Sequence, residues 1–124
     1  MTTLDVAKDI VALCHEGKHM EAINKHYADD IVSIEGASSP EMPARMEGID
    51  AIRGKTEWWL ENHEIHDSRV EGPFVAEDDD HFALIFHMDV TPKGGERMKM
   101  TEVAYYKVRD GKIAEERFYF PPMG

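Results

Sequence analysis

Apolar positions recur every three or four residues over roughly the first half of the chain and every second residue after it, so the pattern predicts helices followed by strands. Val6, Ile10 and Leu13 fall at helical spacing with Lys8, Asp9 and Glu16 between them. Thr2 or Thr3 is the expected cap and Asp5 the acidic residue of the first turn, and the helix ends near His15 because Gly17 follows. Met20, Ile23, Asn24 and Tyr27, with Ala22 beside them, form a second and shorter amphipathic helix. The stretch His26-Tyr27-Ala28-Asp29-Asp30 then makes an acidic corner, and Ile31 to Ile34, short and β-branched, reads as a strand that stops on Glu35. Gly36 to Pro43 is a loop by composition. Gly48 to Arg53 opens a third helix, with Ile52, Thr56, Trp59 and Leu60 on one face and Trp58 beside them, so that the two tryptophans are expected to be buried or to line a cavity.

Beyond His63 the period changes. Glu64 to Ala76 is a polar, alternating strand broken by Gly72-Pro73, which predicts a bulge or a sheet edge there. Glu77 to Asp80 makes a turn. His81 to Thr91 alternates Phe82, Leu84, Phe86 and Met88 on one face with Ala83, Ile85, His87 and Asp89 on the other. Pro92 to Gly95 turns the chain, Arg97 to Arg109 is a further strand, and Asp110-Gly111 returns it along Lys112 to Phe120. That turn fits either two residues or a three-residue loop with a bulge; the three-residue loop is the expected one, and it sets Glu102 opposite Phe118. Helices first and long antiparallel strands afterwards predict an α+β fold, a strongly curved, mainly antiparallel sheet with the N-terminal helices on one side.

Length limits this to a single domain over residues 1–124, since 124 residues suffice for one core and not for two. A formal charge of −11 repels phosphate backbones and anionic lipid surfaces, so nucleic acid is not an expected partner. No apolar run approaches the roughly 20 residues of a membrane span, and the N-terminus lacks a basic and apolar leader, so a cytoplasmic location is expected. The one cysteine, Cys14, lies among Val11, Ala12 and Leu13 and reads as a packing residue. His15 and His19 are separated by Gly17, and His63-x-x-His66 has no third ligand nearby, so no metal site is expected.

Three segments carry a resemblance: His26-Tyr27-Ala28-Asp29-Asp30-Ile31-Val32, Gly48-Ile49-Asp50-Ala51-Ile52-Arg53 and Tyr106-Lys107-Val108-Arg109-Asp110-Gly111-Lys112-Ile113. In order and spacing they resemble the helix-to-strand corner, third-helix opening and C-terminal hairpin of the SnoaL-like branch of the nuclear-transport-factor-2-like superfamily. The resemblance implies a cone-shaped α+β barrel, its sheet wrapped around the helices and open at one end, and a homodimer through the outer sheet face. It implies cofactor-free isomerase, cyclase or dehydratase chemistry, or ligand binding without catalysis, because one fold hosts all of these.

Alignment with the family's ketosteroid isomerases puts their carboxylate base at Glu35. Their oxyanion tyrosine falls at Ile10 and their protonated aspartate at Ala104, neither of which can donate a hydrogen bond; Glu102, two residues away on the same strand face, is the expected substitute, with Tyr27 and Tyr106 as other donors. The cyclases' aspartate near the end of the last strand has no counterpart in Arg117 to Pro122. Two facings of the first strand remain open: Glu35 in the cavity, or Val32 and Ile34 inward with Ser33 and Glu35 in water. Tyr27, Trp58, Trp59, Phe82, Phe86, Met88, Tyr106, Phe118 and Phe120 are the expected walls for a small apolar or aromatic molecule. His87 and Asp89, on the opposite sheet face, are expected at a dimer surface.

Overall fold

The computed structural model describes residues 2–36, 43–75 and 80–119. Helix α1 spans Thr3–His15 and α2 His19–His26; β1 is Tyr27–Ile34, β2 Arg45–Glu47, α3 Ile49–Asn62, β3 His63–Val75, β4 His81–Pro92, β5 Met98–Arg109 and β6 Lys112–Tyr119. The short strand β2 was not expected from the sequence: three residues with Arg45 and Glu47 exposed leave no readable alternation. The turn expected over Glu77 to Asp80 lies largely outside the described residues, as does Phe120.

Helix α1 begins and ends for local reasons. The Asp5 N–H donates to Thr2 Oγ1 at 3.1 Å and the Thr2 N–H to Asp5 Oδ2 at 3.0 Å, a reciprocal cap that satisfies donors the helix leaves over. Gly17 closes α1 with a positive φ of 74°. Val6, Ala7, Ile10 and Cys14 form the buried stripe of α1. His26, the last residue of α2, is buried and donates from Nε2 to Asp9 Oδ2 at 2.6 Å, which ties the two helices together; Lys25 reaches the same oxygen at 2.7 Å.

The six strands form one curved, open sheet in the order β2-β1-β6-β5-β4-β3. The cone is therefore unclosed, with β2 and β3 as edges. The β1–β6 pair is parallel and the others antiparallel. Gly72-Pro73 sits on edge strand β3, where the register against β4 shifts between Glu71 and Phe74, so the break in the alternation corresponds to both an edge and a bulge. The alternating face of β4 is the core face: Phe82, Leu84, Phe86 and Val90 are buried with Ala104, Tyr106 and Val108 of β5 and Ile113 of β6. The corner expected at Tyr27-Ala28-Asp29-Asp30 is instead the start of β1, the helix ending at His26, and the last hairpin pins it: Arg109 donates to Asp30 Oδ1 at 2.6 Å and Lys112 to the Lys25 carbonyl at 2.8 Å.

One register differs from expectation. Asp110 and Gly111 both have positive φ, 52° and 75°, giving a two-residue turn with Arg109 opposite Lys112, and a bulge then shifts the pairing before Lys107 meets Glu115. Ala104, not Glu102, consequently faces Phe118. Among the described residues no helix is long and apolar enough to cross a membrane. Because Gly111 occupies left-handed backbone, Gly111→Ala is expected to lower stability by roughly 1–2 kcal/mol in urea denaturation, with no change in the far-ultraviolet spectrum of the folded chain.

Candidate functional site

On β1, alternation fixes the facing that the sequence left open: Ile31 and Ser33 are buried, Val32 and Ile34 lie on the other face, and Glu35 continues inward at the strand's end. The parallel register places Ser33 beside Glu116 of β6, and the antiparallel registers continue that row to Tyr106 of β5 and Phe82 of β4. Two rows away on the same face, past Leu84 and Ala104, Glu102 of β5 faces Phe86 of β4. Between these strands and the three helices lies a cavity of about 340 Å³. Apolar and aromatic side chains make most of its wall, and four charged ones line it: Glu35, Lys55, Glu102 and Glu116.

Lys55 holds this set together. It projects from the face of α3 that also carries Ile52 and Thr56, and its side chain is 11 % exposed. Its ammonium donates to Ser33 Oγ at 2.6 Å and to Glu35 Oε1 at 2.9 Å, lies 3.6 Å from Glu116 Oε1, and sits 5.3 Å from the Phe118 ring centroid. Glu116 is 2 % exposed. Ser33 donates to its Oε1 at 2.8 Å and the Tyr27 hydroxyl to its Oε2. Burial raises the Glu116 carboxyl, opposed by Lys55 and the two hydroxyl donors. Tyr27 and Tyr106 are both pushed well above the usual phenol range, by burial first and then by the charge of Glu116, so both stay protonated.

Glu102 differs from the other two carboxylates. Among the described residues no hydrogen bond or ion pair reaches its side chain. Burial, reinforced by the nearby charges of Glu35 and Glu116 and opposed by Lys55, raises it to about 7. It can therefore give or take a proton near neutrality, a property that a well-paired carboxylate lacks.

The expected wall residues divide. Tyr27, Trp58, Trp59, Phe86, Met88, Tyr106 and Phe118 line the cavity. Trp58 does so at the mouth, with 42 % of its surface exposed; Trp59 is fixed by His63, whose ring stacks on it at 4.2 Å and donates from Nδ1 to its carbonyl at 2.8 Å. Phe82 is a correction: it is buried and stacked on Tyr106 at 4.8 Å, and Tyr106 rather than Phe82 reaches the cavity. Phe120 is outside the described residues. Ile10 lines the wall as an apolar residue and Ala104 is buried without a polar group, so the two familiar donor positions are empty of donors. Cys14 touches the cavity, but burial pushes its thiol to about 12 and keeps it a packing group. Among the described residues no group of three metal-capable side chains converges.

Two residues of the site were not anticipated, Lys55 and Glu116, and each had a signal. Lys55 is three residues after Ile52 and four before Trp59, on the helix face already assigned inward. Glu116 precedes Phe118 by two on the same strand, so a wall position for Phe118 carries Glu116 with it.

Two consequences can be measured. Between about pH 4.5 and 7 the folded chain keeps a Glu102 proton that the unfolded chain has released, so stability falls as pH rises through that window and levels off above it. Glu102→Gln is accordingly expected to raise the melting temperature over the wild type at pH 8 and to leave it nearly unchanged at pH 5. Removing the ammonium strands Glu35 and Glu116, so Lys55→Met is expected to cost about 3 kcal/mol in urea denaturation, with part of it recovered when Glu116→Gln is added.

Comparison with known proteins agrees with this architecture. A Mesorhizobium loti protein, provisionally named a SnoaL-like polyketide cyclase and also labelled carbohydrate phosphatase, is 49% identical over 97% of this chain and 100% of that one, with a TM-score of 0.90. A Bacillus subtilis protein provisionally named an isomerase shares the fold at 17% identity and a TM-score of 0.79, over 98% of this chain and 91% of its own. A computationally designed 17-OHP binder does so at 18% identity and 0.73, over 98% and 95% of the two chains. No curated protein sequence matches. The family model for a SnoaL-like domain matches residues 1–120, and with the corner, the open cone and the cavity in place, the chain belongs to the SnoaL-like family.

Proposed function

We propose that the chain binds a compact, largely apolar molecule in the cone and moves a proton on it without a cofactor, as an isomerase- or cyclase-type enzyme. One observation carries this reading: the carboxyl of Glu102 faces the cavity with no protein partner among the described residues, beside the Lys55–Glu35 ion pair. A general acid or base works best when its pKa lies near the working pH and its proton is not committed elsewhere. Glu102 meets both conditions. Glu35, the base that the resemblance implied, is engaged by Lys55, so the roles shift: Glu102 takes and returns the proton, while Glu35 keeps Lys55 in place and raises Glu102 by its charge. The name of the Mesorhizobium loti relative is consistent with chemistry of this class.

A homodimer through the outer sheet face belongs to the same reading. Phe74, Val103 and Tyr119 are exposed there, at 54%, 40% and 54%. The sheet register sets Val103 against both Ile85 and Tyr119, and Phe74 against Ala83, so these side chains form a continuous apolar strip across four strands. His87, expected at this surface, donates from Nε2 to Glu71 at 2.8 Å and meets Thr101 at 3.1 Å, while Asp89 pairs with Arg97 at 2.8 Å. These pairs edge the strip with polar groups.

The catalytic reading is tested by deuterium exchange at the carbon beside the carbonyl of bicyclic ketones such as 2-tetralone, followed by NMR. Wild type should accelerate exchange over buffer, Glu102→Gln should lose about 100-fold or more of that acceleration, and Glu35→Gln less. Undiminished exchange in Glu102→Gln would remove it as the proton carrier, and ketone binding without acceleration by the wild type would make this a non-catalytic binding module. For the dimer, sedimentation should give twice the 14.2 kDa chain mass at micromolar concentration, and Val103→Lys should return it to one.

A further inference from the structure

The charges that face the cavity are unevenly matched. Among the described residues, Glu35, Glu102 and Glu116 line it against a single cation, Lys55. The other titratable side chains in the wall add no charge: burial raises Tyr27, Tyr106 and Cys14 and lowers His19, so all four are neutral near pH 7. Lys55 is itself committed, with donors on Ser33 and Glu35 and the third side turned towards Glu116. An anionic group entering this space meets like charge and finds no free ammonium.

Positive charge is what the walls complement. Glu102 offers an unpartnered carboxylate once ionised, with Phe86 directly across from it on β4. The faces of Trp58 and Trp59 at the mouth add the aromatic attraction a cation feels. The formal charge of −11 on the chain also concentrates cations around it.

Resting on the reading of this cavity as a small-molecule site, we infer that its ligand is an aromatic or alicyclic molecule with a basic nitrogen, protonated in solution and seated against Glu102. The volume of about 340 Å³ admits a two- or three-ring body, a size at which burial of the apolar part supplies much of the affinity. The ammonium then supplies selectivity. When it binds, Glu102 is held ionised, so binding releases a proton from the carboxyl at pH values below its own midpoint.

A matched series tests the charge class directly: 2-naphthylmethylamine, 2-naphthylmethanol and 2-naphthoate, titrated by calorimetry into wild type and Glu102→Gln at pH 6 and pH 8. The amine should bind tightest, about tenfold or more over the alcohol at pH 8 and by a smaller factor at pH 6, with 2-naphthoate weakest. Glu102→Gln should bring the amine down to the level of the alcohol and leave the alcohol unchanged. Equal affinity for amine and alcohol, a preference for 2-naphthoate, or amine binding indifferent to Glu102→Gln would overturn the inference and leave the small-molecule site standing. Failure of all three to bind would overturn both.

Discussion

An ammonium enclosed in an apolar cone needs counter-charge within hydrogen-bonding distance, and the geometry around Lys55 is arranged to provide it. Helix α3 delivers the lysine from one side, and β1 and β6 deliver Ser33, Glu35 and Glu116 from the other. None of these groups is sensibly placed without the others. Glu116, almost without exposure, would be a costly isolated charge, and Ser33 would be a buried hydroxyl with nothing to bridge. Together they satisfy one another, with Tyr27 closing the set at the helix-to-strand corner.

That internal completeness leaves Glu102 outside. It shares the cavity and the field of the cluster but none of its hydrogen bonds among the described residues, and its raised carboxyl follows from burial beside two other negative groups. The family fold supplies an open cone and a wall of alternating strand residues; the reaction depends on which groups this chain sets into that wall. Here they are three carboxylates and one lysine, at positions that differ from the tyrosine and aspartate arrangement of the isomerases the sequence resembles.

Much of the fold was legible because its signals are local or strictly periodic. The Thr2 cap, the stop at Gly17 and the alternation of Phe82, Leu84 and Phe86 each have a short-range physical cause, whereas the corner read at Asp29-Asp30 is already strand. Strand β2 was not legible, since three residues paired to β1 only through tertiary contact leave no pattern of their own. The site was half readable. Glu35, Glu102 and the aromatic wall emerged from spacing and resemblance, whereas the pairing of Lys55 with Glu35 joins residues twenty apart on different elements, which no sequence period encodes. The register of the last hairpin also turned on a bulge after Asp110-Gly111, invisible in composition, and it moved Phe118 from Glu102 to Ala104. Phe82 was drawn into the expected wall by its face alone, and stacking on Tyr106 keeps it out of the cavity.

The central claim is that Glu102, with no hydrogen-bond or ion-pair partner among the described residues, exchanges its proton near neutrality. Selective carbon-13 labelling of glutamate, with the Glu102 side-chain carboxyl resonance assigned by its loss in Glu102→Gln, reads that midpoint directly in an NMR titration. A midpoint near 7 is the predicted result. A Glu102 resonance that titrates between about 4 and 5, as an ordinary solvated glutamate does, would contradict the account.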